Sequence, residues 1–232
     1  MALHVLITGA NRGLGLEFTR QYAEAGWQVF ACCRNPDKAA VLQQLATQHP
    51  DKVSLHALEV TDFAQIDQLA KQLSASSIDL LLNNAGIYPT GKEAFASIDY
   101  EAWMETFRVN TMAPMKMTEV FADHVARSQQ KMIVNITSKM GSIDDNTSGQ
   151  HYLYRSSKTA LNMVTKSLAI DLTSRGITVI AMHPGWVQTD LGGPSAPTTA
   201  EQSVSGMRQV IARLTANDSG KFYGYDGKEI PW

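Results

Sequence analysis

The stretch "LHVLITGANRGLGLE", residues 3–17, places a glycine-rich turn between an apolar run and a helical pattern. Its glycines are spaced G-x-x-x-G-x-G over residues 9–15. Glycine lets the backbone turn tightly and approach a pyrophosphate, and the free amides at a helix N-terminus favour anions. A strand before the turn and a helix after it are typical of a dinucleotide site, although such a turn can also bind nothing. The stretch therefore predicts a dinucleotide-binding turn that opens an α/β fold.

Strand-sized apolar runs recur along the rest of the chain and alternate with helical patterns. Near-continuous apolar runs are typical of strands that are buried on both faces of a parallel sheet. Repeated βα units build a doubly wound sheet with helices on both faces. We therefore predict an α/β fold with about seven parallel strands, in a single dinucleotide-binding domain over residues 1–232. After the first run at 3–8, the runs lie at 27–33, 53–59, 78–83, 131–137 and 176–182.

Two of the segments between these runs carry helix signals. Residues 62–74 place apolar side chains on one helical face, with Asp62 as the predicted N-cap. Residues 35–46 predict a helix with Asn35 as its cap and Pro36 at the first helical position, where proline has no hydrogen bond to lose. Both helices suit the crossover connections that parallel strands need.

Composition argues against several classes of protein. The chain has 232 residues and a net charge of −2, whereas proteins that bind nucleic acids normally carry a basic excess. No run approaches the roughly 18 apolar residues of a membrane span, and the amino terminus lacks a signal-peptide pattern. The only cysteines, Cys32 and Cys33, are adjacent, which argues against a disulfide and against metal-ligand spacing. We predict a cytoplasmic protein with no metal, no membrane span and no nucleic-acid partner.

The residues after the second predicted strand bear on which dinucleotide binds. Folds that bind NAD place an acidic residue near the end of that strand, whereas an arginine nearby accommodates the 2′-phosphate of NADP. Arg34 follows the strand directly, and the first carboxylate comes later, at Asp37. Arg12, in the glycine turn, can reach the same place. Either arginine alone would be an ordinary surface group; together they favour NADP(H), with NAD(H) as the alternative.

Polar motifs follow the later strands, at the carboxyl edge where open α/β sheets bind ligands. The run "NNAG" (83–86) follows the fourth strand, Ser138 follows the fifth, and "HPGWVQTD" (183–190) follows the sixth. Asn110 interrupts an otherwise apolar helix, which indicates a hydrogen-bonding task for its side chain. Each motif alone is compatible with an ordinary turn or a tolerated polar residue. Together they place candidate site residues at one edge of the sheet.

Two Tyr-x-x-x-Lys pairs occur, and only one of them suits a helix. Between Tyr88 and Lys92 lie a proline and a glycine, which break helices. Tyr154 and Lys158 open a long helical pattern, in which residues four apart share a face. A phenol has an ordinary pKa of about 10, and a close ammonium favours its ionised form. Tyr154 is therefore the predicted acid and base.

In this order along the chain, the motifs resemble those of the short-chain dehydrogenase/reductase family, over essentially the whole chain. The resemblance implies a Rossmann-type fold and an NADPH-dependent oxidoreductase that reduces a small carbonyl compound to an alcohol. More narrowly, four stretches are similar to the C-factor and sniffer-like carbonyl reductases. They are "GANRGLGLE" (9–17), "CCRNPDK" (32–38), "PGWVQTDLGG" (184–193) and "YDGKEIPW" (225–232).

Carried over to this chain, the resemblance implies four catalytic residues. Tyr154 would give a proton to the substrate carbonyl oxygen as the nicotinamide delivers hydride to the carbon. Lys158 would lower the pKa of that phenol and bond the nicotinamide ribose. Ser138 would position and polarise the carbonyl, as preorganised donors do for developing charge. Asn110 would hold a water that links Lys158 to solvent.

The sequence also offers candidates for a substrate pocket, and the resemblance implies a set of cofactor contacts. Three further side chains, Tyr88, Met140 and Trp186, follow strand-end motifs and are candidates for an apolar substrate pocket, with plain packing as the alternative. The positions that match cofactor contacts are Gly9, Asn11, Arg12, Gly13, Leu14, Gly15, Arg34, Glu59, Val60, Asn84, Ala85, Gly86, Tyr154, Lys158, Pro184, Gly185, Val187 and Thr189.

The chain departs from the family pattern in three places. Glu59 stands where many members have an aspartate against the adenine, one methylene shorter. The distance along the chain from Ser138 to Tyr154 exceeds that of the typical member, which implies a small insertion. The region after Pro184 is short, so we expect a small substrate lid over 186–206 and an open pocket.

Two further functions and an assembly state complete the expectations. A non-catalytic NADP-binding signalling protein of the C-factor type is the alternative, although loss of Tyr154 or Lys158 would have favoured it. A sugar-nucleotide epimerase would need an extra domain, for which the chain has no room. The helices over 100–126 and 157–172 carry apolar and small residues around more than one face. With the family resemblance, they predict a homodimer through a four-helix interface, with a homotetramer as the alternative.

Overall fold

Seven strands pair in parallel in a single sheet. A computed structural model describes residues 2–89 and 95–232, and every statement below concerns those residues. The strands are β1 (His4–Thr8), β2 (Gln28–Cys33), β3 (Val53–Ala57), β4 (Leu80–Asn83), β5 (Met132–Ile136), β6 (Thr178–His183) and β7 (Phe222–Gly224). Their order across the sheet is β3-β2-β1-β4-β5-β6-β7. The predicted doubly wound parallel sheet of about seven strands in a single domain is confirmed.

Seven α-helices cover the two faces of this sheet. They are α1 (Gly13–Glu24), α2 (Ala40–Gln48), α3 (Phe63–Gln72), α4 (Tyr100–Phe107), α5 (Ala113–Ala126), α6 (Tyr152–Asp171) and α7 (Ala200–Arg213). A π-helical turn over Arg108–Met112 joins α4 to α5. Short 3-10 turns lie at Pro36–Lys38, Lys139–Gly141, Thr173–Arg175 and Ala216–Asp218. None of the helices in the described ranges is both long enough and apolar enough to span a bilayer.

Each face of the sheet has its own hydrophobic core. Side chains along a strand alternate between faces, so Val5 and Ile7 of β1 point to one core and Leu6 to the other. The first core contains apolar residues of α1, α2 and α7, including Phe18. The second contains those of α3, α5 and α6, including Phe121. Burial on both faces explains why the strands are almost continuously apolar in the sequence.

One predicted helix start is confirmed, and the other holds only for a 3-10 turn, which Asn35 precedes and Pro36 opens. The carboxylate of Asp62 accepts hydrogen bonds from the amides of Ala64 and Gln65, at 3.1 and 3.2 Å, and so caps α3. Residues 36–38 instead form a 3-10 turn, and α2 begins only at residue 40. Ala39 has φ −93° and ψ 67°, outside the helical region, because the chain turns once more before the helix starts.

The register of the strands aligns their carboxyl ends. Asn83, the last residue of β4, pairs with Asn135 of β5, which in turn pairs with Ala181 of β6. On the other side, Ile7 of β1 pairs with Leu82 of β4. The segments that follow β1, β4, β5 and β6 therefore leave the sheet side by side, at the edge where ligands bind in such folds.

Candidate active site

The glycine turn after β1 is shaped by close backbone contacts. Gly9 has φ 69°, which favours glycine. A Cβ on Gly15 would lie 2.1 Å from the carbonyl oxygen of Gly9, so only glycine lets α1 start this close to the strand. Asn11 and Arg12 are exposed, and Arg12 immediately precedes the first residue of α1. The turn leads directly into a helix N-terminus, the arrangement that favours anions; the cofactor contacts of these residues stay a prediction.

Thr8 ties the ends of β1 and β4 together. Its hydroxyl accepts hydrogen bonds from the amides of Asn84 and Ala85, both at 3.0 Å. The side-chain amide of Asn84 donates in turn to the Thr8 carbonyl at 2.8 Å. Thr8 was not predicted as a site residue, although its position directly before the glycine motif could have indicated one. The predicted residues Asn84 and Ala85 are thereby held beside Gly9.

Asn110 lies in the π-helical turn and is completely buried. Its Oδ1 accepts from the amide of Ile87, and its Nδ2 donates to the Ile87 carbonyl, both at 2.9 Å. The same Nδ2 lies 3.0 Å from the hydroxyl of Ser157 on α6. Asn110 therefore joins the segment after β4 to α6, and its side chain has the hydrogen-bonding task that its position in the sequence indicates. Ile87 and Ser157 were not singled out from the sequence.

Ser138, Tyr154 and Lys158 converge at the carboxyl ends of β4 and β5, and all three are buried. The Ser138 Oγ accepts from the amide of Met140 at 3.1 Å, which caps the 3-10 turn after β5. The Lys158 Nζ donates to the carbonyl of Ile136 at 3.0 Å and lies 5.8 Å from the centre of the Tyr154 ring. The structure thus brings together the tyrosine, lysine and serine of the predicted set.

Burial controls the pKa values of the tyrosine and the lysine. Burial of the ammonium lowers the pKa of Lys158 to about 8. Burial also raises the pKa of Tyr154 to about 12; the Ser138 side chain partly opposes this rise, and the Tyr88 phenol adds to it. The net shift of the Tyr154 pKa is upward because loss of water around the phenol dominates. The expected lowering of this pKa by Lys158 stays a prediction.

The segment after β6 folds back onto the glycine turn. Gly185 has φ 87°, and a Cβ there would lie 2.8 Å from the Tyr225 ring. A methyl group of Thr189 would lie 3.3 Å from a Cβ on Gly13. The second contact places Thr189 against the start of α1, beside the glycine turn. Val187 is buried and pairs with Thr198 across the loop.

The predicted lid over 186–206 is divided by the structure. Residues 186–199 form a loop closed by hydrogen bonds, including Trp186 Nε1 to the carbonyl of Gly192 at 2.7 Å. Residues 200–206 instead begin α7, because Thr199 and Gln202 form a reciprocal capping box. The loop itself therefore ends at residue 199, and a lid over 186–206 would include the first turns of α7; the lid stays a prediction.

The arginines expected to select the cofactor have acidic neighbours. The Nε of Arg34 lies 3.9 Å from a carboxylate oxygen of Glu59, and the Arg34 side chain is 73% exposed. The other oxygen of Glu59 accepts from the amide and hydroxyl of Thr61. Arg12 forms an ion pair with Asp190 at 2.5 Å. Val60 is buried next to Glu59. Arg34 lies beside the end of β2, as predicted.

The three pocket candidates have different surroundings. The ring of Tyr88 packs against that of Tyr154, with centroids 4.6 Å apart. Met140 is half-buried beside Ser138, and Trp186 is 57% exposed on the loop after β6. Gly86 lies close to the lysine, since a Cβ there would be 3.5 Å from its Nζ.

Two predictions concern residues outside this cluster. Lys92, the partner of Tyr88 in the rejected Tyr-x-x-x-Lys pair, lies outside the described residues. Among the described residues, no group of three or more His, Cys, Asp or Glu side chains could hold a metal ion.

Comparison with known proteins identifies relatives over the whole chain. Residues 3–200 match the family described as short chain dehydrogenase. The C-signal protein of Myxococcus xanthus is 39% identical over 163 residues, which are 70% of this chain and 98% of that protein. The solved structure of carbonyl reductase Sniffer of D. melanogaster superposes with a TM-score of 0.93 at 32% identity, covering 100% of both chains. An NADPH-bound carbonyl reductase from chicken fatty liver gives a TM-score of 0.93 at 36% identity, again over 100% of both.

The buried lysine predicts a pH-dependent stability. The unfolded chain keeps the Lys158 proton up to the ordinary pKa of 10.5, whereas the folded chain releases it near 8. Because the unfolded state binds more protons between these values, the free energy of unfolding should rise with pH, by about 3 kcal/mol in all. Lys158→Met should be more stable than the wild type at pH 7 and should lack this rise, as urea unfolding at pH 7, 8.5 and 10 measures.

The matched control is Lys71→Met, which changes an exposed lysine on α3. Its stability should differ from the wild type by the same amount at each pH. A Lys158→Met variant that is less stable than the wild type at pH 7, or that keeps the full rise, contradicts the assignment of a strained buried ammonium.

Proposed function

The chain belongs to the short-chain dehydrogenase family, and we propose that it is an NADPH-dependent carbonyl reductase. The observation that carries the proposal is the convergence of Tyr154, Lys158 and Ser138, all buried, beside a glycine turn built for a dinucleotide. A phenol, an ammonium and a hydroxyl at one point suit the protonation of a carbonyl oxygen. The substrate class is a small aldehyde or ketone, reduced to an alcohol.

Tyr154 is the proposed proton donor. NADPH supplies the hydride that the carbonyl carbon accepts. The Tyr154 phenol is protonated at neutral pH, since its pKa is raised to about 12, and it can give its proton to the oxygen. The Oγ of Ser138 accepts a hydrogen bond from the amide of Met140, which leaves its own hydrogen available to donate to the same oxygen.

Lys158 and Asn110 assist this proton transfer without giving the proton themselves. With a pKa of about 8, the Lys158 ammonium is mostly charged at neutral pH and stabilises the tyrosinate that forms. We assign it a second bond, to the nicotinamide ribose. Asn110 holds the segment after β4 through Ile87 and keeps the proposed water that links Lys158 to solvent.

The cofactor contacts are proposals that follow from the positions of the side chains. The glycine turn and the first amides of α1 would hold the pyrophosphate. Arg34 lies beside the end of β2 and would meet the 2′-phosphate, with Arg12 as the second cation. Glu59 and Val60 would border the adenine. The positions that would complete the contacts are Gly9, Asn11, Gly13, Leu14, Gly15, Asn84, Ala85, Gly86, Tyr154, Lys158, Pro184, Gly185, Val187 and Thr189.

The substrate would enter beside the loop after β6. Tyr88, Met140 and Trp186 are the proposed lining of the pocket, and residues 186–206 are the proposed lid. Trp186 is 57% exposed on this loop, which supports an open pocket. A cytoplasmic location is part of the same proposal, since NADPH is a cytoplasmic reductant.

A non-catalytic signalling role is not favoured. The likeness to the C-signal of Myxococcus xanthus raises it, but loss of Tyr154 or Lys158 would have favoured it, and both residues are present and buried together. Burying the Lys158 ammonium costs free energy, and such costs are typical of catalytic sites.

We infer that the protein is a homodimer, with a homotetramer as the alternative. Large apolar side chains are exposed on α4, on the π-helical turn with α5, and on α6. Soluble monomers rarely expose contiguous apolar surfaces of this kind. Two copies that pair these helices would form a four-helix interface and bury them. The exposed side chains are Tyr100 (67%), Met104 (55%), Met112 (48%), Met115 (40%), Met163 (66%) and Ile170 (65%).

The assembly is tested by sedimentation velocity at micromolar concentration. We expect a dimer or tetramer for the wild type, and partial dissociation when Met163 and Ile170 are both replaced by Glu, because the charges would be buried in the interface. A wild type that sediments as a monomer contradicts the inference.

Tyr154→Phe tests the catalytic assignment. It removes the transferable proton and leaves the ring, so NADPH should still bind while oxidation of NADPH with a panel of aldehydes, ketones and quinones falls by at least about a hundredfold. Tyr152→Phe is the control, because Tyr152 lies two residues away on the same helix and is 39% exposed. It should keep nearly full turnover, and Tyr88→Phe should lose far less activity than Tyr154→Phe. Activity of Tyr154→Phe near that of the wild type would remove the assignment.

Arg34→Ala tests cofactor choice. A charge-assisted hydrogen bond to the 2′-phosphate is worth about 1.5–3 kcal/mol, so the variant should bind NADPH roughly tenfold or more weakly. NADH lacks the phosphate and should bind as before. Arg34→Asp should reverse the preference, since it adds repulsion and offers an acceptor to the 2′-hydroxyl. The measurement is the pair of dissociation constants; equal wild-type affinity for the two cofactors, or no selective loss, contradicts the proposal.

A further inference from the structure

Tyr88 and His151 share a hydrogen bond at the edge of the proposed active site. The Tyr88 Oη and the His151 Nδ1 lie 2.6 Å apart, although the residues are 63 positions apart in the chain. Tyr88 belongs to the segment after β4, and His151 is the residue that precedes α6. Because Tyr154 lies in the first turn of α6, this bond connects two of the segments that surround the catalytic tyrosine.

The backbone at His151 is held in an unusual conformation. His151 has φ 52° and ψ 37°, in the left-handed region, and Gln150 before it has φ 55°. Left-handed backbone costs free energy for residues other than glycine and persists where surrounding contacts maintain it. The carbonyl of His151 still accepts from the amide of Arg155 at 2.9 Å, so the first turn of α6 is complete. The Tyr88 hydroxyl is a contact that can hold the imidazole in place.

The ring of Tyr154 packs against the ring of Tyr88. The two ring centroids are 4.6 Å apart with an interplanar angle of 49°, a close tilted pair. Such a contact orients a ring only if its partner is itself fixed. Tyr88 is fixed at its hydroxyl by His151, and the preceding residue, Ile87, is fixed at its backbone by Asn110. Both contacts connect this segment to α6, because His151 directly precedes the helix and Asn110 also bonds Ser157 within it.

We propose that Tyr88 and His151 act as a pair of positioning residues, which hold the Tyr154 ring in the orientation that proton transfer to the substrate needs. The inference rests on the proposed function and deepens it. It assigns a role to a histidine that none of the motifs marks, and it gives Tyr88 a task other than lining the pocket.

Tyr88 also acts on the acidity of Tyr154. The groups that face its phenol are Lys158 on the same helix, Ser138 after β5 and Tyr88 after β4. Tyr88 raises the pKa of Tyr154, in addition to the larger effect of burial. Replacing Tyr88 by Phe keeps the ring contact and removes the hydroxyl, so the Tyr154 phenol should ionise at a lower pH.

The test compares Tyr88→Phe, His151→Ala and the double variant with the wild type. The proposal places the effect of both residues in their shared hydrogen bond, so each single variant should lose roughly three- to tenfold in kcat and the double variant no more than either. The KM for NADPH should change by less than about twofold, since the contact acts on the proton donor. His151→Asn should recover most of kcat, because asparagine tolerates left-handed backbone and carries a polar atom near the position of Nδ1.

A measurement without turnover separates this inference from the proposed function. Tyrosine labelled with carbon-13 at Cζ reports ionisation in the full chain, and Tyr154→Phe identifies the Tyr154 signal. Its midpoint should lie at lower pH in Tyr88→Phe than in the wild type, and Tyr152→Phe should leave it unchanged. A wild type that reduces no carbonyl compound contradicts the proposed function, while the titration still decides whether the pair acts on Tyr154. An unmoved midpoint, or losses in kcat that add in the double variant, overturns the inference.

Discussion

The buried ammonium of Lys158 is the constraint around which the site is built. The side chain is only 4% exposed and donates to the carbonyl of Ile136 at 3.0 Å. Placing a cation in the protein interior costs several kcal/mol by the usual order of magnitude, and the pKa is lowered to about 8 in consequence. A fold selected for stability alone would carry an apolar side chain here. We explain the lysine by its proposed task, which is to stabilise the tyrosinate of Tyr154.

A glycine and an asparagine hold the neighbouring segments close to the lysine. A Cβ on Gly141 would lie 2.8 Å from atoms of Lys158, so glycine lets the 3-10 turn that begins at Ser138 pack directly on α6. Asn110, in a π-helical turn, joins the segment after β4 to the same helix. Helix α6 is therefore held by the 3-10 turn after β5 and, through Asn110, by the segment after β4. These two contacts bring the tyrosine and lysine of α6 next to the serine. π-helical turns occur frequently at functional sites.

The sequence predicts those features that local patterns determine. Parallel strands buried on both faces appear as continuous apolar runs, and the Asp62 cap lies next to the amides it satisfies. The three-residue strand β7 is too short to give such a run. The raised pKa of Tyr154 depends on burial by the whole fold. The contacts of Tyr88 with His151 and of Arg12 with Asp190 join residues 63 and 178 positions apart, so no local pattern indicates them.

The central claim is that this site transfers hydride from NADPH to a carbonyl carbon. It is tested most directly with NADPH that carries deuterium at both C4 positions of the nicotinamide, incubated with unlabelled aldehydes and ketones in ordinary water. The account predicts a product alcohol with one deuterium on the carbinol carbon and none elsewhere, because the hydride moves directly and Tyr154 supplies only the exchangeable proton. An alcohol without deuterium on that carbon, or tight NADPH binding with no alcohol from any compound tested, would contradict it.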